Sequence, residues 1–398
     1  MRIVYLFTCF PVVSETFLQR EIRAMRERGG NEIELWSLWR GKAEWEGVPV
    51  HRYPFWAILR VIFFKIPLWA WRHPGALRRV WAAYMRASPP SLLNIGENLL
   101  GLAFALDKAD LFRANPPDLF HAVWATMPTA AAWLLHEITG IPFSMGAHAY
   151  DIFRDGGDWT LREKLATARF VHTTTEVARK RLLELGAPAA RVCLIRRGLD
   201  TLPPMKPLRV VGDSPLRCLS IGRLVPKKGL FAQLRILRAL RDAGLRIEAR
   251  IAGKGPLEQE LRTRIATLGL EDCVSLAGEL PYAEIVAQYA WADVFLFTGI
   301  VAKDGDRDGL PNVIPEAMAH GVAVVTSPVS GAPEAISHRL TGQVVPVDDH
   351  AGWVTAVRQL REDPAFAQHT RNAARQWVER EFCAYENAAR LAVELASL

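Results

Sequence analysis

Residues 304–326 have the sequence DGDRDGLPNVIPEAMAHGVAVVT. Pro311 and Pro315 suit a loop or the first turn of a helix, and Gly321 suits the end of a helix before the largely β-branched run at 322–326. The pattern therefore predicts a loop, a helix and a strand, in that order. Alternating helices and strands of this kind are typical of an α/β fold.

Two acidic residues, Asp308 and Glu316, lie on either side of the predicted helix start. The first turn of a helix presents unpaired backbone N–H groups and the positive end of the helix dipole, so a phosphate group can bind there without a basic side chain. A carboxylate just inside such a helix can accept hydrogen bonds from both hydroxyls of a ribose. We therefore predict a diphosphate site at the helix start and a ribose contact from Glu316.

The same stretch resembles the signature of retaining nucleotide-sugar glycosyltransferases of the GT-B type, in which two glutamates stand eight residues apart around Gly-Leu-Pro-Asn-Val. Asp308 replaces the first of these glutamates and is one methylene shorter. The resemblance implies that Asp308 contacts the donor sugar and that Glu316 contacts the ribose. The donor-binding loop that it implies consists of Gly309, Leu310, Pro311 and Asn312.

The acidic residues of this stretch allow two other interpretations. Asp304, Asp306 and Asp308 copy the opening of an EF-hand loop, but Pro315 occupies the position at which that loop needs a glutamate. For the three aspartates alone, an acidic loop in contact with solvent is the simpler interpretation. We therefore expect no metal site, no cofactor and no metal requirement.

Length and composition limit the class of protein. A chain of 398 residues suits two domains of nearly equal size, and 50% apolar with 23% charged residues is a globular composition. The formal charge of +7 favours anionic partners, namely nucleotide diphosphates, anionic lipids or nucleic acid. Five scattered cysteines predict reduced core residues of a cytosolic protein. The chain shows no signal peptide and no apolar run of eighteen residues, so we expect no membrane span.

The N-terminal residues predict a β-α-β opening, with strands at 2–7 and 33–38. Ser14 suits a helix N-cap, and the loop before it is expected to face the cleft of a two-lobe fold. We therefore place Ser14 and Glu15 on the acceptor side. Phe10-Pro11 followed by Ser-Glu-Thr-Phe resembles the opening of glycosyltransferases that build exopolysaccharides, including enzymes of colanic acid assembly.

Segment 52–86 interleaves aromatic and aliphatic residues with lysine and arginine. This pattern is typical of a helix that lies on an anionic membrane. It also suits a helix packed on its own domain, with the basic ends of the side chains reaching solvent. Net charge slightly favours the membrane, and nucleic acid is disfavoured because no recognition motif accompanies the basic residues.

A predicted strand and loop at 142–151 contain His148, Tyr150 and Asp151. Ligands of open α/β sheets collect at the carboxyl ends of strands. His148 resembles the active-site histidine of the family, which contacts the donor sugar, and we predict that Asp151 orients His148, approaches the acceptor or caps the next turn. His121 resembles the first of a pair of histidines, but Val123 holds the second place, so His121 receives no role beyond the cleft wall.

A connector rich in proline and glycine at 202–215 separates the two predicted halves. After it, Gly222, Arg223 and Lys228 lie in the loop that follows the first strand, where a Rossmann fold binds phosphate. This loop resembles the donor-phosphate motif of the family, so Arg223 and Lys228 are expected to neutralise the leaving diphosphate. Gly278 resembles the loop that borders the base. Glu258 replaces the third glycine of a dinucleotide fingerprint, which disfavours a dehydrogenase.

These observations predict an α/β protein of the GT-B class, with two Rossmann-like lobes whose parallel sheets face each other across a cleft. The predicted boundaries are 1–203 for the acceptor-side lobe, 215–372 for the nucleotide-sugar lobe and 373–398 for a helix that crosses back to the first lobe. The catalytic residues implied are His148, Asp308, Arg223 and Lys228.

The function implied is retaining transfer of a sugar from a nucleotide diphosphate sugar to a hydroxyl of a glycan or lipid-linked acceptor, in exopolysaccharide or cell-surface polysaccharide biosynthesis. A nucleotide-sugar epimerase of the same fold and a non-catalytic sugar-nucleotide-binding protein are the alternatives. We expect a cytoplasmic protein, and a peripheral one on the inner face of the cell membrane if segment 52–86 binds lipid.

Overall fold

A computed structural model describes residues 1–12, 15–28 and 30–397 of the chain. These residues form two compact units. The first unit contains residues 1–200 together with the C-terminal residues from Ala384, and the second contains Thr201–Cys383.

The first unit is built on an eight-stranded sheet. Its strands are β1 (Arg2–Phe10), β2 (Glu32–Gly41), β3 (Glu44–Trp45), β4 (Val48–Arg52), β5 (Leu119–Ala122), β6 (Phe143–Gly146), β7 (Phe170–Thr173) and β8 (Val192–Leu194). They lie in the order β3-β4-β2-β1-β5-β6-β7-β8, and every neighbouring pair is parallel except β3 with β4. Residues 3–7 of β1 are fully buried, as expected of a continuous apolar run in the middle of a parallel sheet.

Helices cover this sheet. They are α1 (Thr16–Arg28), α2 (Ala57–Arg60), α3 (Ile66–Arg72), α4 (Pro74–Arg86), α5 (Leu92–Ala114), α6 (Met127–Thr139), α7 (Tyr150–Phe153), α8 (Leu161–Thr167) and α9 (Glu176–Glu184). A π-helical turn, Val61–Lys65, joins α2 to α3, and 3₁₀ turns occupy Arg154–Gly156 and Ala189–Arg191.

The second unit has a six-stranded parallel sheet with the order β11-β10-β9-β12-β13-β14. Its strands are β9 (Leu216–Ile221), β10 (Ile247–Ala252), β11 (Val274–Gly278), β12 (Val294–Phe297), β13 (Ala323–Thr326) and β14 (Gln343–Val344). Its helices are α10 (Leu230–Asp242), α11 (Glu258–Thr267), α12 (Tyr282–Trp291), α13 (Val313–Ala319), α14 (Ala332–Ala335), α15 (His350–Glu362) and α16 (Pro364–Glu381), with a 3₁₀ turn at Pro226–Lys228.

The last helix, α17 (Ala384–Ala396), belongs to the first unit and packs on α1. The predicted division at 372/373 falls inside α16, which continues to Glu381 within the second unit. Arg375 holds this part of α16 in place, because its Nη1 donates to the carbonyl oxygens of Pro203 at 2.6 Å and Ala319 at 2.7 Å. Residues 373–383 therefore lie with the second unit.

Two α/β units with parallel sheets confirm the predicted fold class. Strands β1 and β2 contain the predicted strands at 2–7 and 33–38, and α13 and β13 follow the loop before them in the order predicted for residues 304–326. The cysteine interpretation was only partly right: all five are free thiols, but only Cys218 is buried, and the other four are half-buried. Among the described residues, no helix combines the length and the apolar character needed to cross a membrane.

Two turns at the carboxyl ends of β9 and β10 meet backbone to backbone. Gly222 N donates to Ala252 O at 2.9 Å, and Leu224 N donates to Lys254 O at 3.0 Å. A Cβ on Gly253 would lie 1.9 Å from Gly222 O, and the φ of Gly253 is +144°, so this position requires glycine. The loop after β9, which leads from Gly222 to the basic turn at 226–228, is thereby supported by the loop after β10.

We expect Gly253→Ala to lower the free energy of unfolding by about 3 kcal/mol, because it combines a backbone clash with left-handed strain. Gly244→Ala is the matched control, because its φ is +83° but nothing lies within 4 Å of the added Cβ. The control should cost about 1 kcal/mol. Scanning calorimetry of both variants measures the difference, and equal losses would contradict the steric explanation.

Candidate functional site

The carboxyl edge of the second sheet carries a cluster of five charged side chains. Lys228 Nζ lies 2.7 Å from Asp308 Oδ2, and Lys227 Nζ lies 3.0 Å from Asp306 Oδ1 and 3.6 Å from Asp308 Oδ1. Arg223 is exposed beside them and acts electrostatically on Asp308. The structure therefore brings the predicted residues Arg223, Lys228 and Asp308 together.

Neighbouring residues position the basic turn. Pro226 begins its 3₁₀ turn, and Gly229, with φ +64°, ends the turn before α10. Thr298 follows β12, and its Oγ1 donates to the carbonyl oxygens of Lys228 and Gly229, each at 3.2 Å. The Lys228 ammonium also lies 5.3 Å from the ring centre of Phe297. These contacts hold the turn and the Lys228 side chain against the ends of β9 and β12.

Charge is not fully balanced in this cluster. Arg223, Lys227 and Lys228 contribute three positive charges, and Asp306 and Asp308 contribute two negative charges, which leaves one net positive charge. Burial opposes ionisation of Asp308, but Lys228 and Lys227 outweigh it and hold the pKa of Asp308 below its usual value. The site therefore presents an ionised aspartate beside a cationic turn. Such a turn favours an anionic ligand.

Glu316 lies in the first turn of α13 and is buried. Tyr289 Oη donates to its carboxylate at 3.2 Å, and the ring of His320 stacks on Tyr289 at 4.9 Å. Burial lowers the pKa of His320 to about 4. An aromatic side chain from α12 thus orients the carboxylate that the sequence predicts to bind ribose.

The loop before α13 contains Gly309, Leu310, Pro311 and Asn312. Ile314 N and Glu316 N donate to the carbonyl oxygens of Pro311 at 2.9 Å and Asn312 at 3.0 Å. The N–H of Ile314, one of the groups expected to be unpaired at the helix start, is therefore engaged by this loop, whereas the bond from Glu316 N to Asn312 O is the first i→i−4 hydrogen bond of α13. Gly309 O accepts from Gly331 N at 3.0 Å, which connects the loop to the segment after β13.

Gly278 ends β11, one strand beyond β10 in the sheet. Its φ is +72°, and its carbonyl oxygen accepts from Gly253 N at 2.7 Å. The carboxyl ends of β9, β10 and β11 are thus joined through Gly222, Gly253 and Gly278. Gly278 therefore lies at the same sheet edge as the basic turn.

In the first unit, His148 follows β6 and is buried. Arg197 Nη2 donates to His148 Nε2 at 2.9 Å, so the imidazole proton resides on Nδ1 when the ring is neutral. Among the described residues, Nδ1 has no hydrogen-bond partner. Burial, together with His172 and His121, holds the pKa of His148 well below its usual value. His148 is therefore neutral and keeps an unused N–H donor.

Arg197 is itself held by several groups. It forms a buried ion pair with Glu21 of α1, and its carbonyl oxygen accepts from Asn387 Nδ2 of α17 at 3.1 Å. Burial lowers the pKa of Arg197 to about 10, and Tyr5 and Glu15 act in the opposite direction. The predicted acceptor-side residue Glu15 is thus close to this arginine, whereas Ser14 lies outside the described residues.

Asp151 is buried and supports the backbone of the His148 loop. Its carboxylate accepts from the backbone N–H groups of Ala149 at 2.8 Å, His148 at 3.2 Å and Ala125 at 3.2 Å. Burial raises the pKa of Asp151 to about 6 against these hydrogen bonds. These recorded contacts position the loop that carries His148, and the start of α7 has no side-chain cap, so the predicted cap of the next turn is not formed.

His121 is buried rather than on a surface. Its Nδ1 lies 2.8 Å from Ser144 Oγ, and its ring lies 4.7 Å from that of Tyr5. Burial lowers the pKa of His121 to about 3. The His121 side chain thus lies in the interior of the first unit, on the central strand β5, and its expected place on a cleft wall stays a prediction.

Sequence reasoning missed three residues of these sites. Lys227, the neighbour of the predicted Lys228, is the buried lysine of the pair and holds Asp306. Tyr289 and Arg197 orient the predicted residues Glu316 and His148. The pair of arginines at 196–197 is the sequence signal for Arg197. A pair of this kind does not show which of the two side chains points inward.

Family models for two glycosyltransferase domains match the chain. The model described as a glycosyl transferase 4-like domain matches residues 14–198, and the model described as glycosyl transferases group 1 matches residues 210–377. The chain therefore belongs to the group 1 glycosyl transferases with a 4-like first domain.

The chain is similar in sequence to several named glycosyltransferases. The chain is 38% identical over 219 residues to the amylovoran biosynthesis glycosyltransferase AmsK of Erwinia amylovora, an alignment that covers 54% of each protein. It is 28% identical over 411 residues to the putative colanic acid biosynthesis glycosyltransferase WcaL of Salmonella typhimurium, with 96% of each covered. The alignments with AmsK and with WcaL of Escherichia coli span about half the length of those two relatives, 54% and 53%.

Solved structures share the fold. HepE of Anabaena, in complex with UDP and glucose, has a TM-score of 0.71 at 18% identity, with all of both chains covered. Sucrose-phosphate synthase of Thermosynechococcus elongatus has a TM-score of 0.73 at 15% identity, with 100% of this chain and 98% of that chain covered. These similarities confirm the GT-B class of fold.

Removal of a buried neutral histidine should reduce acid sensitivity. Burial lowers the pKa of His172 to about 4, so between pH 6.5 and 4 the unfolded chain binds a proton that the folded chain does not, and stability falls as pH falls. Between pH 6.5 and 5.0, His172→Gln should lose about 1.5 kcal/mol less unfolding free energy than the parent. The raised pKa values of Asp151 and Glu97 act oppositely in both proteins and cancel in the comparison.

Urea titrations at several pH values, followed by circular dichroism, measure this difference. His369→Gln, which changes an exposed histidine of the second unit, is the control for the substitution itself. Identical pH dependence in His172→Gln and the parent would contradict a buried neutral His172.

Proposed function

We propose that the protein transfers a sugar from a nucleotide diphosphate sugar to a hydroxyl of a glycan or lipid-linked acceptor, in exopolysaccharide or cell-surface polysaccharide biosynthesis. The observation that carries this proposal is the cationic turn at Arg223 and Lys228, held against Asp308 at the carboxyl edge of the second sheet. Membership of the glycosyltransferase family supports it. Relatives named for amylovoran and colanic acid biosynthesis support the assignment to extracellular polysaccharides.

In this proposal the second unit holds the donor. Arg223 and Lys228 neutralise the diphosphate, whose negative charge grows as its bond to the sugar breaks. Asp308 keeps the Lys228 ammonium in position and contacts the sugar. Glu316, oriented by Tyr289, accepts hydrogen bonds from the ribose hydroxyls. HepE, solved with UDP and glucose and with UDP-glucose, supports a nucleotide-sugar donor of this kind.

His148 of the first unit contributes a neutral imidazole. Its Nδ1–H is available to donate to a sugar hydroxyl, and Arg197 prevents the other tautomer by occupying Nε2. A neutral N–H donor stabilises an oxygen without adding a positive charge. The predicted acceptor side comprises Ser14, Glu15 and Asp151, and of these Asp151 acts by supporting the His148 loop.

The proposed reaction retains the configuration of the anomeric carbon and needs no metal or other cofactor. The proposed reaction uses no carboxylate as a covalent nucleophile. The acceptor therefore attacks on the face that the diphosphate leaves. NMR of the new anomeric proton tests the stereochemistry, and an inverted product would contradict retention. Strict dependence on an acceptor distinguishes the transferase from an epimerase, which would convert the nucleotide sugar alone.

We expect Lys228→Met to lower kcat for transfer by a factor of about 10² to 10³, because the leaving diphosphate loses its nearest point charge. Lys303→Met is the control: it removes an exposed lysine of the same loop region that contacts none of the cluster residues. Release of nucleoside diphosphate in the presence of acceptor measures the rate, after thermal-shift screening of UDP, GDP and ADP sugars selects the donor.

Equal rates in Lys228→Met and Lys303→Met would remove the basic turn from the mechanism. A calorimetric scan of both variants shows whether the second unit remains folded. If Lys228→Met unfolds the second unit, Lys228→Arg, which keeps the positive charge, should restore folding. The transfer rate of Lys228→Arg then decides the same question.

A further inference from the structure

A surface of the first unit carries large apolar side chains in contact with solvent. We define the apolar face as the eight residues Phe55, Trp56, Leu59, Ile62, Phe63, Phe64, Ile66 and Trp71. Each is between 42% and 79% exposed. Isolated apolar side chains at a surface are ordinary, but a contiguous group of this size marks an interaction site.

The segment that bears the apolar face is anchored by one narrow stripe. Ala57, Val61 and Trp69 are buried at four- and eight-residue spacing, and Trp69 Nε1 donates to Leu106 O at 2.8 Å. Ile58 packs partly against the same core, whereas the side chains of the apolar face stay largely exposed. The first unit therefore covers one side of α2, the π-helical turn and α3 and leaves the apolar face in contact with solvent.

Ion pairs hold the segment rigidly on α5. Arg60 Nη2 lies 2.6 Å from Asp107 Oδ1, and Lys65 Nζ lies 2.7 Å from Asp110 Oδ2. The Arg60 guanidinium also lies 5.5 Å from the ring centre of Trp56. The apolar face is thus presented outward by a fixed scaffold.

The charge around the apolar face has one sign. Between Glu46 and Glu97 the chain has seven lysine or arginine residues and no acidic residue. Arg52 and Arg78 are exposed and have no carboxylate partner among the described residues. Arg78 shares the outer side of α4 with Trp81 and Met85, which are 61% and 68% exposed. Free cations therefore flank the apolar side chains.

Aromatic residues extend the surface to the end of β2. The rings of Trp39 and Phe55 meet edge to face at 5.8 Å, and the Arg40 guanidinium lies 5.6 Å from the Trp39 ring centre. Tryptophan and arginine side by side, with aliphatic residues behind them, match the interface between lipid headgroups and acyl chains.

We propose that the apolar face and its flanking arginines bind the surface of a membrane rich in anionic lipid. The aromatic and aliphatic side chains enter the boundary between headgroups and acyl chains, while Arg52 and Arg78 contact lipid phosphates. A second copy of this chain is a poorer occupant, because two such faces would bring like charges together. The proposal depends on this surface alone and holds whether or not the proposed transfer reaction is correct.

Flotation of the full-length protein with large unilamellar vesicles tests the proposal. Vesicles of phosphatidylcholine with 30% phosphatidylglycerol should bind the protein at least tenfold more strongly than phosphatidylcholine alone, and 0.5 M salt should reduce this preference. The triple variant W56S/F63S/F64S should lose binding by at least tenfold, because these exposed side chains insert. The pair R52E/R78E should lose the preference for anionic lipid.

The matched control is V210S/L340S/V393S, which removes three exposed apolar side chains outside the segment that bears the apolar face and should bind as the parent does. Circular dichroism and melting temperature should be unchanged in all variants, since each altered side chain is exposed. Parent-level vesicle binding by W56S/F63S/F64S, or no binding by the parent to either vesicle, would overturn the proposal. Concentration-dependent dimers that the triple variant abolishes, without vesicle binding, would show a protein interface instead.

Discussion

The contact between the basic turn at 226–228 and the loop at 304–308 is the interaction on which the candidate donor site depends. These segments are some eighty residues apart in the chain, and Lys227 and Lys228 each bind an aspartate of the loop. The buried Lys227 ties the loop to the sheet, while the less buried Lys228 keeps its charge near solvent. Because the cations outnumber the carboxylates by one, the cluster is both held together and attractive to an anion.

The first unit uses a different electrostatic arrangement. Burial, together with the neighbouring His172 and His121, lowers the pKa of His148, and Arg197 fixes its tautomer through Nε2. The arginine is in turn held by Glu21 of α1 and by Asn387 of α17, so residues from both ends of the chain position one imidazole. This explains why the C-terminal helix belongs with the first unit. The C-terminal helix α17 contributes to the orientation of His148 rather than supplying a reacting group.

Local pattern and family resemblance predicted much of the fold and half of the site. The pattern at 304–326 predicted α13 and β13, and the N-terminal pattern predicted β1 and β2. Arg223, Lys228 and Asp308 were predicted together because their motifs are local, and the structure brings them together. Tyr289, Lys227 and Arg197 were missed as positioning residues, because each acts through a partner at least twenty-seven residues away in the chain.

Segment 52–86 shows most directly what a local sequence pattern cannot predict. Its interleaved aromatic and basic residues suited both a packed helix and a lipid-binding one, because composition does not say which side of a helix is covered. The structure shows that Ala57, Val61 and Trp69 are buried and that the eight residues of the apolar face are exposed, while the carboxylates of Asp107 and Asp110 on α5 bind Arg60 and Lys65.

From its residues and their resemblance to a family, the sequence by itself determined the α/β class, the two halves and the position of the basic turn proposed to bind phosphate, because these depend on patterns within a few residues. Only the tertiary structure decided which lysine is buried, which tautomer His148 adopts and which apolar side chains remain exposed. Those properties depend on burial and on partners distant in the chain, and burial is a property of packed elements rather than of any one segment.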